Sequence, residues 1–293
     1  MNNQTKKWVY LILLSLIWGT SYILIKKGLE GLTPIQLGSV RIVLATMFLA
    51  VLGFRSLKGI TRQQWKWLAI SGFLGSFFPV FLFAFAQTEI DSSVAAILNS
   101  LVPLFTLFLG FLLFKFTVTV RQITGVFIGL LGAVLLVVLG ASVHPNQNYW
   151  YAGLVVVAAL FYAANANIIK GKLHGVSPMG IALGNFVIIS IPASVVLLFS
   201  GVTDKAVYEG PFFYSSLGYI AILCFISTCI AKVMFNKLIH ISSPVFSVSV
   251  TYLIPVVGIF WGVLDGEKFT YWQLLASVII LLGVYLVNKS KKK

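Results

Sequence analysis

Apolar runs of about 20 residues follow one another along nearly the whole chain, separated by short polar spacers. Nothing else in the sequence limits the fold as strongly, because a helix needs about 20 apolar residues to cross a bilayer. The runs are read as ten spans, at 8–25, 34–54, 66–86, 92–114, 120–140, 149–169, 178–200, 212–235, 243–263 and 270–288. Only 10% of the 293 residues are charged, against about 25% in a soluble domain. An all-α integral membrane protein is expected, with ten transmembrane helices. The spacers are short, so whatever the protein does must happen within the bilayer. The first run is long enough to span and lacks a small-residue cleavage pattern, so no cleaved leader is expected.

The net charge of +14 could suggest nucleic acid, but the basic residues sit in the spacers. That is the signature of membrane topology. With a cytoplasmic N-terminus, the inner segments hold Lys6, Lys7, Arg55, Lys58, Arg62, Lys66, Lys115, Arg121, Lys170, Lys172, Lys232, Lys237, Lys289, Lys291, Lys292 and Lys293. The outer segments hold only Lys26, Lys27, Lys205 and Lys268, and Arg41 is left inside a span. Both termini are therefore expected in the cytoplasm, and nucleic acid is not expected as a partner. All seven acids, Glu30, Glu89, Asp91, Asp204, Glu209, Asp265 and Glu267, fall on outer segments. Cys224 and Cys229 share one apolar run, which argues against a disulfide framework or metal spacing.

The chain repeats itself. The stretch from Ser15 to Arg41 returns 144 positions later: Trp18 aligns with Tyr162, Ser21 with Asn165, Lys26 with Lys170, Pro34 with Pro178 and Arg41 with Asn185. Further on, Asn99 aligns with Thr251, Pro103 with Pro255 and Lys115 with Glu267, and Leu131-Gly132 meets Leu282-Gly283 after a one-residue slip. Five spans per unit is an odd number, so the halves enter the membrane from opposite sides. Two inverted five-helix repeats follow, 8–138 and 149–288.

Several local patterns accompany this layout: Trp18-Gly19-Thr20-Ser21 in the first span, Pro34 seven residues before Arg41, Pro103 and Pro255 in the fourth span of each half, and Gly266-Glu267 closing the ninth. In this order and duplication the chain resembles the drug/metabolite transporter superfamily, specifically its EamA-type members, over nearly its whole length. The resemblance implies a carrier in the cytoplasmic (inner) membrane, often an exporter of amino acids or other small metabolites. Lys115 departs from it, since the first half of the family often has Glu there.

Arg41 is the most expensive residue to bury. Seven residues beyond Pro34 place it about 10 Å into its span. An Arg at the bilayer centre costs about 2.5–3.5 kcal/mol. It either faces a cavity and offers a bidentate site to a substrate carboxylate, or snorkels outward and ties helix-end carbonyls. Trp18 and Tyr22 share a helix face, and Tyr162 and Asn165 occupy the equivalent helix. With Ser21, Phe83, Gln87, Asn99, Asn236 and Thr251 they form the candidate substrate-binding set; interhelical packing is the alternative for each. Pro103 and Pro255, placed mid-span, are either hinges or static kinks. Lys232 could attract an anion, but its place near the inner end of the eighth span favours snorkelling. Gly125, Gly129 and Gly132 form a small-residue face for the tenth span or for a second copy of the chain in a homodimer. His144, His174 and His240 lie at loops or span edges and are not expected to bind metal or relay protons.

No acid lies in a span, and no nucleotide-binding loop or paired catalytic set is present. No cofactor and no enzymatic activity are expected. The expected protein is a secondary carrier that moves a small-molecule substrate across the lipid bilayer by alternating access. Other cargo classes and a non-transporting scaffold remain the alternatives. Proton coupling through Glu89 or Asp91 stays open.

Overall fold

The computed structural model describes residues 3–114, 119–143, 147–268 and 270–288. Lys115, His144, Lys289, Lys291, Lys292 and Lys293 fall outside the described residues. Within those described there is no strand. The principal helices are α1 (Asn3–Gly28), α2 (Pro34–Gly53), α3 (Arg62–Ala86), α4 (Ser92–Leu112), α5 (Val120–Val143), α6 (Tyr149–Lys172), α7 (Pro178–Leu198), α8 (Phe213–Ile241), α9 (Pro244–Leu264) and α10 (Tyr271–Asn288). Each apolar run of the sequence is thus helical. Eight of these helices are long and apolar enough to cross a membrane. The other two, α5 and α10, carry shorter apolar stretches at Val120–Leu136 and Tyr271–Gly283.

Local chemistry sets the helix starts. Thr33 and Gln36 cap each other's backbone N–H groups ahead of Pro34, and Ser177 caps α7 ahead of Pro178. Proline is favoured at a first helical position because the N–H it lacks has no partner there anyway. A second reciprocal cap, Thr61 with Gln64, starts α3 at Arg62, four residues before the apolar run begins. At the other extreme α8 continues to Ile241, six residues past its expected end.

Four helices change pitch part-way. The turn widens to π-type at Phe73–Phe77 in α3 and at Leu223–Ile230 in α8. It tightens to 3-10 at Asn99–Leu101 in α4 and at Ser249–Tyr252 in α9. Proline accounts for three of these. Pro79, Pro103 and Pro255 each delete the N–H that the carbonyl four residues earlier would have taken, namely those of Gly75, Asn99 and Thr251. Pro103 and Pro255, expected mid-span, therefore sit in the first turn of a fresh helical segment, Val102–Phe114 and Ile254–Leu264. In α8, which has no proline, the Thr228 hydroxyl donates to the Leu223 carbonyl at 3.3 Å.

The helices pack in reciprocal fashion. Helix α2 lies along α7, α4 against α9, and α5 along α10. Helix α1 packs on α8 and α9, while α6 packs on α3 and α4. Exchanging the first five helices with the last five maps these contacts onto themselves. The α5–α10 contact is backbone to backbone: a Cβ on Gly283 would lie 2.6 Å from the Gly125 carbonyl oxygen and from Gly129 Cα. The glycine face of α5 is therefore occupied within the chain.

The two ends of α9 are closed differently. At its C-terminal end Lys26 pairs with Asp265 at 2.8 Å and Glu267 at 2.9 Å, and Lys27 pairs with Asp265 at 2.7 Å and Glu30 at 2.9 Å. The Glu267 carboxylate, 2% exposed, also accepts from Ser92 N at 3.0 Å, Ser92 Oγ at 2.7 Å and Ser93 N at 3.1 Å. It thereby caps α4 and clasps the end of α1. At the N-terminal end of α9, Lys170 Nζ donates to the carbonyls of Ile239 at 3.1 Å and Ser242 at 2.7 Å. The two lysines aligned by the repeat thus stand at opposite ends of one helix.

Candidate functional site

Between the helices lies a cavity of about 90 Å³. Its walls come from α1, α2, α3, α4, α6, α8 and α9. Of the candidate residues, Trp18, Ser21, Tyr22, Arg41, Phe83, Asn99, Tyr162, Asn165 and Thr251 all line it. The reason lies in the helix geometry. Trp18, Ser21, Tyr22 and Ile25 fall on one face of α1 at spacings of three and four. Asn99 and Thr251 sit at the pitch changes of α4 and α9, which bring both into the wall.

Aromatic rings form much of that wall. Phe83 stacks on Tyr162 with centroids 6.1 Å apart and planes 23° apart. Tyr22 meets Phe83 edge-on at 5.6 Å, and Trp18 meets Phe235 edge-on at 5.0 Å. The Trp18 indole N–H donates to the Ser227 carbonyl at 3.0 Å, which fixes the ring. Ser21 and Thr251 hydroxyls donate to carbonyls of their own helices at 3.1 and 2.9 Å. The Asn165 amide oxygen accepts from the Ser71 hydroxyl at 2.6 Å, with the Asn185 amide 3.0 Å from that hydroxyl. Asn99 is 5% exposed and its amide oxygen has no partner.

Arg41 faces the cavity. Its Nε donates to the Thr228 hydroxyl at 3.2 Å on the widened turn of α8, so the snorkelling alternative does not describe it. Lys232 is the residue that sequence reading misplaced. Rather than reaching for an interface, it lines the cavity and donates to the Gly75 carbonyl, the group that Pro79 leaves without its helical partner. Its ammonium also sits 5.6 Å from the Tyr162 ring centroid, within cation–π range. The available signal was Pro79 itself, which marks a carbonyl in need of a donor. No carboxylate is among the residues lining this cavity.

Two candidates stand outside the lining. Asn236 donates to the Pro178 carbonyl at 3.1 Å, tying α8 to the start of α7. Gln87 caps the end of α3 and is 7% exposed. Neither Pro103 nor Pro255 reaches the cavity wall. Among the described residues no cluster of three or more His, Cys, Asp or Glu could hold a metal ion.

The outer carboxylates carry their own electrostatics. Burial pushes the Glu267 carboxyl up, but hydrogen bonds from Ser92, Lys26 and Ser93 outweigh it and hold the group below the usual carboxylate range. Burial likewise opposes, and Lys26 and Lys27 overcome, the same shift at Asp265.

The sequence motif at Trp18-Gly19-Thr20-Ser21 acquires physical meaning here. Trp18 anchors on α8 and Ser21 lines the cavity. Gly19 leaves no room for a Cβ beside Val257, and Thr20 accepts from the Trp261 indole at 3.0 Å. One turn of α1 thus fixes α8, α9 and a wall of the site together.

Comparison with known proteins agrees with this architecture. A model of the EamA-like transporter family matches residues 6–138 and 149–289. An uncharacterized transporter of Archaeoglobus fulgidus is 27% identical over 98% of this chain and 100% of its own length. The probable amino-acid metabolite efflux pump of Salmonella typhimurium is 26% identical over 94% of this chain and 92% of its own. A protein of known crystal structure shares the fold, with a TM-score of 0.68 at 16% identity over 97% of this chain and 96% of that one. This multi-pass membrane protein belongs to the EamA-like transporter family.

Proposed function

We propose that the chain is a secondary carrier, an exporter or facilitator, that moves small metabolites such as amino acids across the cytoplasmic membrane by alternating access. In this reading α5 and α10 also cross the bilayer. The ten spans form two inverted repeats, 8–138 and 149–288, with both termini in the cytoplasm. The observation that carries it is the cavity, walled by helices of both halves and flanked by the same pitch change in each. The reciprocal packing supports the inversion, as do aligned lysines at opposite ends of α9. A relative named as an amino-acid metabolite efflux pump favours amino-acid cargo. Another, named as an S-adenosylmethionine/S-adenosylhomocysteine transporter, keeps a second cargo class in view.

The clasp at Glu267 and the lysine cap at Lys170 then act as the closures of the two ends. Rocking of the halves breaks one while the other holds. The 3-10 turns before Pro103 and Pro255 are the hinges, since a helix already interrupted there bends with little loss of hydrogen bonding.

Counterflow in proteoliposomes tests this. Vesicles loaded with unlabelled amino acids should accumulate a labelled trace in a saturable way. Tyr162→Ala and Arg41→Ala should both weaken the uptake. Folded protein that shows no counterflow with any amino acid would redirect the search to other cargo, with a non-transporting scaffold next.

A further inference from the structure

The cavity is lined by two basic side chains, Arg41 and Lys232, and by no acidic one. All seven acids of the chain lie outside the apolar helices. The partners that Arg41 and Lys232 do have, a hydroxyl and a carbonyl, are neutral. Arg41, from α2, docks on Thr228 of α8, four residues before Lys232, so both basic groups reach the cavity beside the same stretch of α8. Unneutralised charge at this depth is costly, and the guanidinium fork suits a carboxylate. Elsewhere in the cavity the buried amide oxygen of Asn99 has no donor.

Resting on the carrier reading above, we propose that the cargo is a small organic acid with a net negative charge: its carboxylate binds Arg41 and Lys232, and an N–H or O–H group it carries donates to Asn99. Acidic amino acids and hydroxy-dicarboxylates have this chemistry. A neutral aromatic amino acid fits the ring-lined wall but leaves the cavity with its full positive charge. Lys232 is then a specificity residue, selecting anions over zwitterions.

The test is calorimetric titration of the full chain in nanodiscs with L-glutamate, L-malate and L-phenylalanine. Arg41→Gln and Lys232→Gln remove one charge each, and Arg41→Lys and Lys232→Arg keep it. Wild type should bind malate or glutamate at least about tenfold more tightly than phenylalanine, as charge-assisted contacts require. Each Gln variant should lose about tenfold or more in anion affinity, and Lys232→Gln should cost phenylalanine clearly less than it costs malate. Lys232→Arg should retain most anion binding and Arg41→Lys clearly more than Arg41→Gln, which separates loss of charge from loss of fold. Asn99→Leu should weaken glutamate and malate, which carry a donor, and spare succinate, which lacks one. Equal affinity for phenylalanine and malate overturns the proposal. So does anion binding unchanged in both Gln variants, or wild type that binds none of the acids. Counterflow on the same preparation is read separately. A bound anion that is not transported refutes the carrier, while a transported zwitterion indifferent to Lys232→Gln refutes only the anion site.

Discussion

Glu267→Gln should destabilise the protein more than its position at the edge of a helix suggests. The carboxylate receives four donors: two backbone N–H groups and a hydroxyl from the start of α4, and Lys26 from the end of α1. A glutamine keeps one oxygen, but its NH₂ group must face donors on the other side, and Lys26 loses a charged partner. Hydrogen bonds to a charged group contribute about 1.5–3 kcal/mol each, and breaking a buried pair by removing one partner costs about 3–5 kcal/mol. Some donors rearrange onto the remaining oxygen, so a net loss of about 2–4 kcal/mol is expected. In a chain of this size that corresponds to a fall in Tm of about 3–7 °C. Thermal unfolding in nanodiscs, followed by intrinsic fluorescence, reads it. The double variant with Lys26→Met should fall by clearly less than the two single losses combined, because both remove the same contact. A Tm within about 1 °C of wild type, or additive losses, would refute the assignment of Glu267 as the clasp.

Three further outcomes follow from the same geometry. Glu267 and Asp265 are held below the usual carboxylate range, so their contribution is complete above the unfolded pKa, about 4, and is lost as pH falls through the lower folded values. Tm should stay flat on that account from neutral pH down to about 5 and then drop, and Glu267→Gln should flatten the drop. Gly283→Ala places a methyl against the backbone of α5, where no flexible side chain can give way; a loss of about 1–3 kcal/mol should appear as a lower Tm. Trp18→Phe keeps an aromatic ring but removes the indole N–H that the Ser227 carbonyl accepts, and should cost about 1 kcal/mol with a measurable loss of counterflow.

Much of the site could be read from sequence because polar residues inside apolar runs are scarce. Arg41, Asn99 and Asn165 stand out in such a background, and all three line the cavity. The duplicated spacing led from Asn165 to Ser21 and from Asn99 to Thr251, which also line it, but from Arg41 to Asn185, which sits against Ser71 instead. Lys232 was misread because its distance from the helix end was misjudged: α8 runs nine residues further, about 13 Å, too far for comfortable snorkelling. Gln87 and Asn236 were drawn in by their polarity alone; Asn236 serves a helix junction that only the fold brings close. Nor could sequence show Glu267 meeting Ser92 and Ser93. That contact joins residues about 175 positions apart and depends on how the end of α9 meets the start of α4. The π-type turn of α8 has no proline to announce it.

The unequal ends of α9 have a consequence for the surrounding solution. The end at Lys26 is held largely by charge against charge, with Lys26, Lys27 and Asp265 all partly open to solvent. Dissolved ions weaken such partly exposed pairs, the more so as the screening length falls from about 8 Å at physiological ionic strength to about 3 Å at 1 M. The end at Lys170 is held by one ammonium against peptide carbonyls, short contacts in which no pair of opposite charges is available to be shielded. Raising salt therefore loosens one end and leaves the other nearly as it was. In the proposed carrier, the ionic strength on the Asp265 side then sets how readily that end opens.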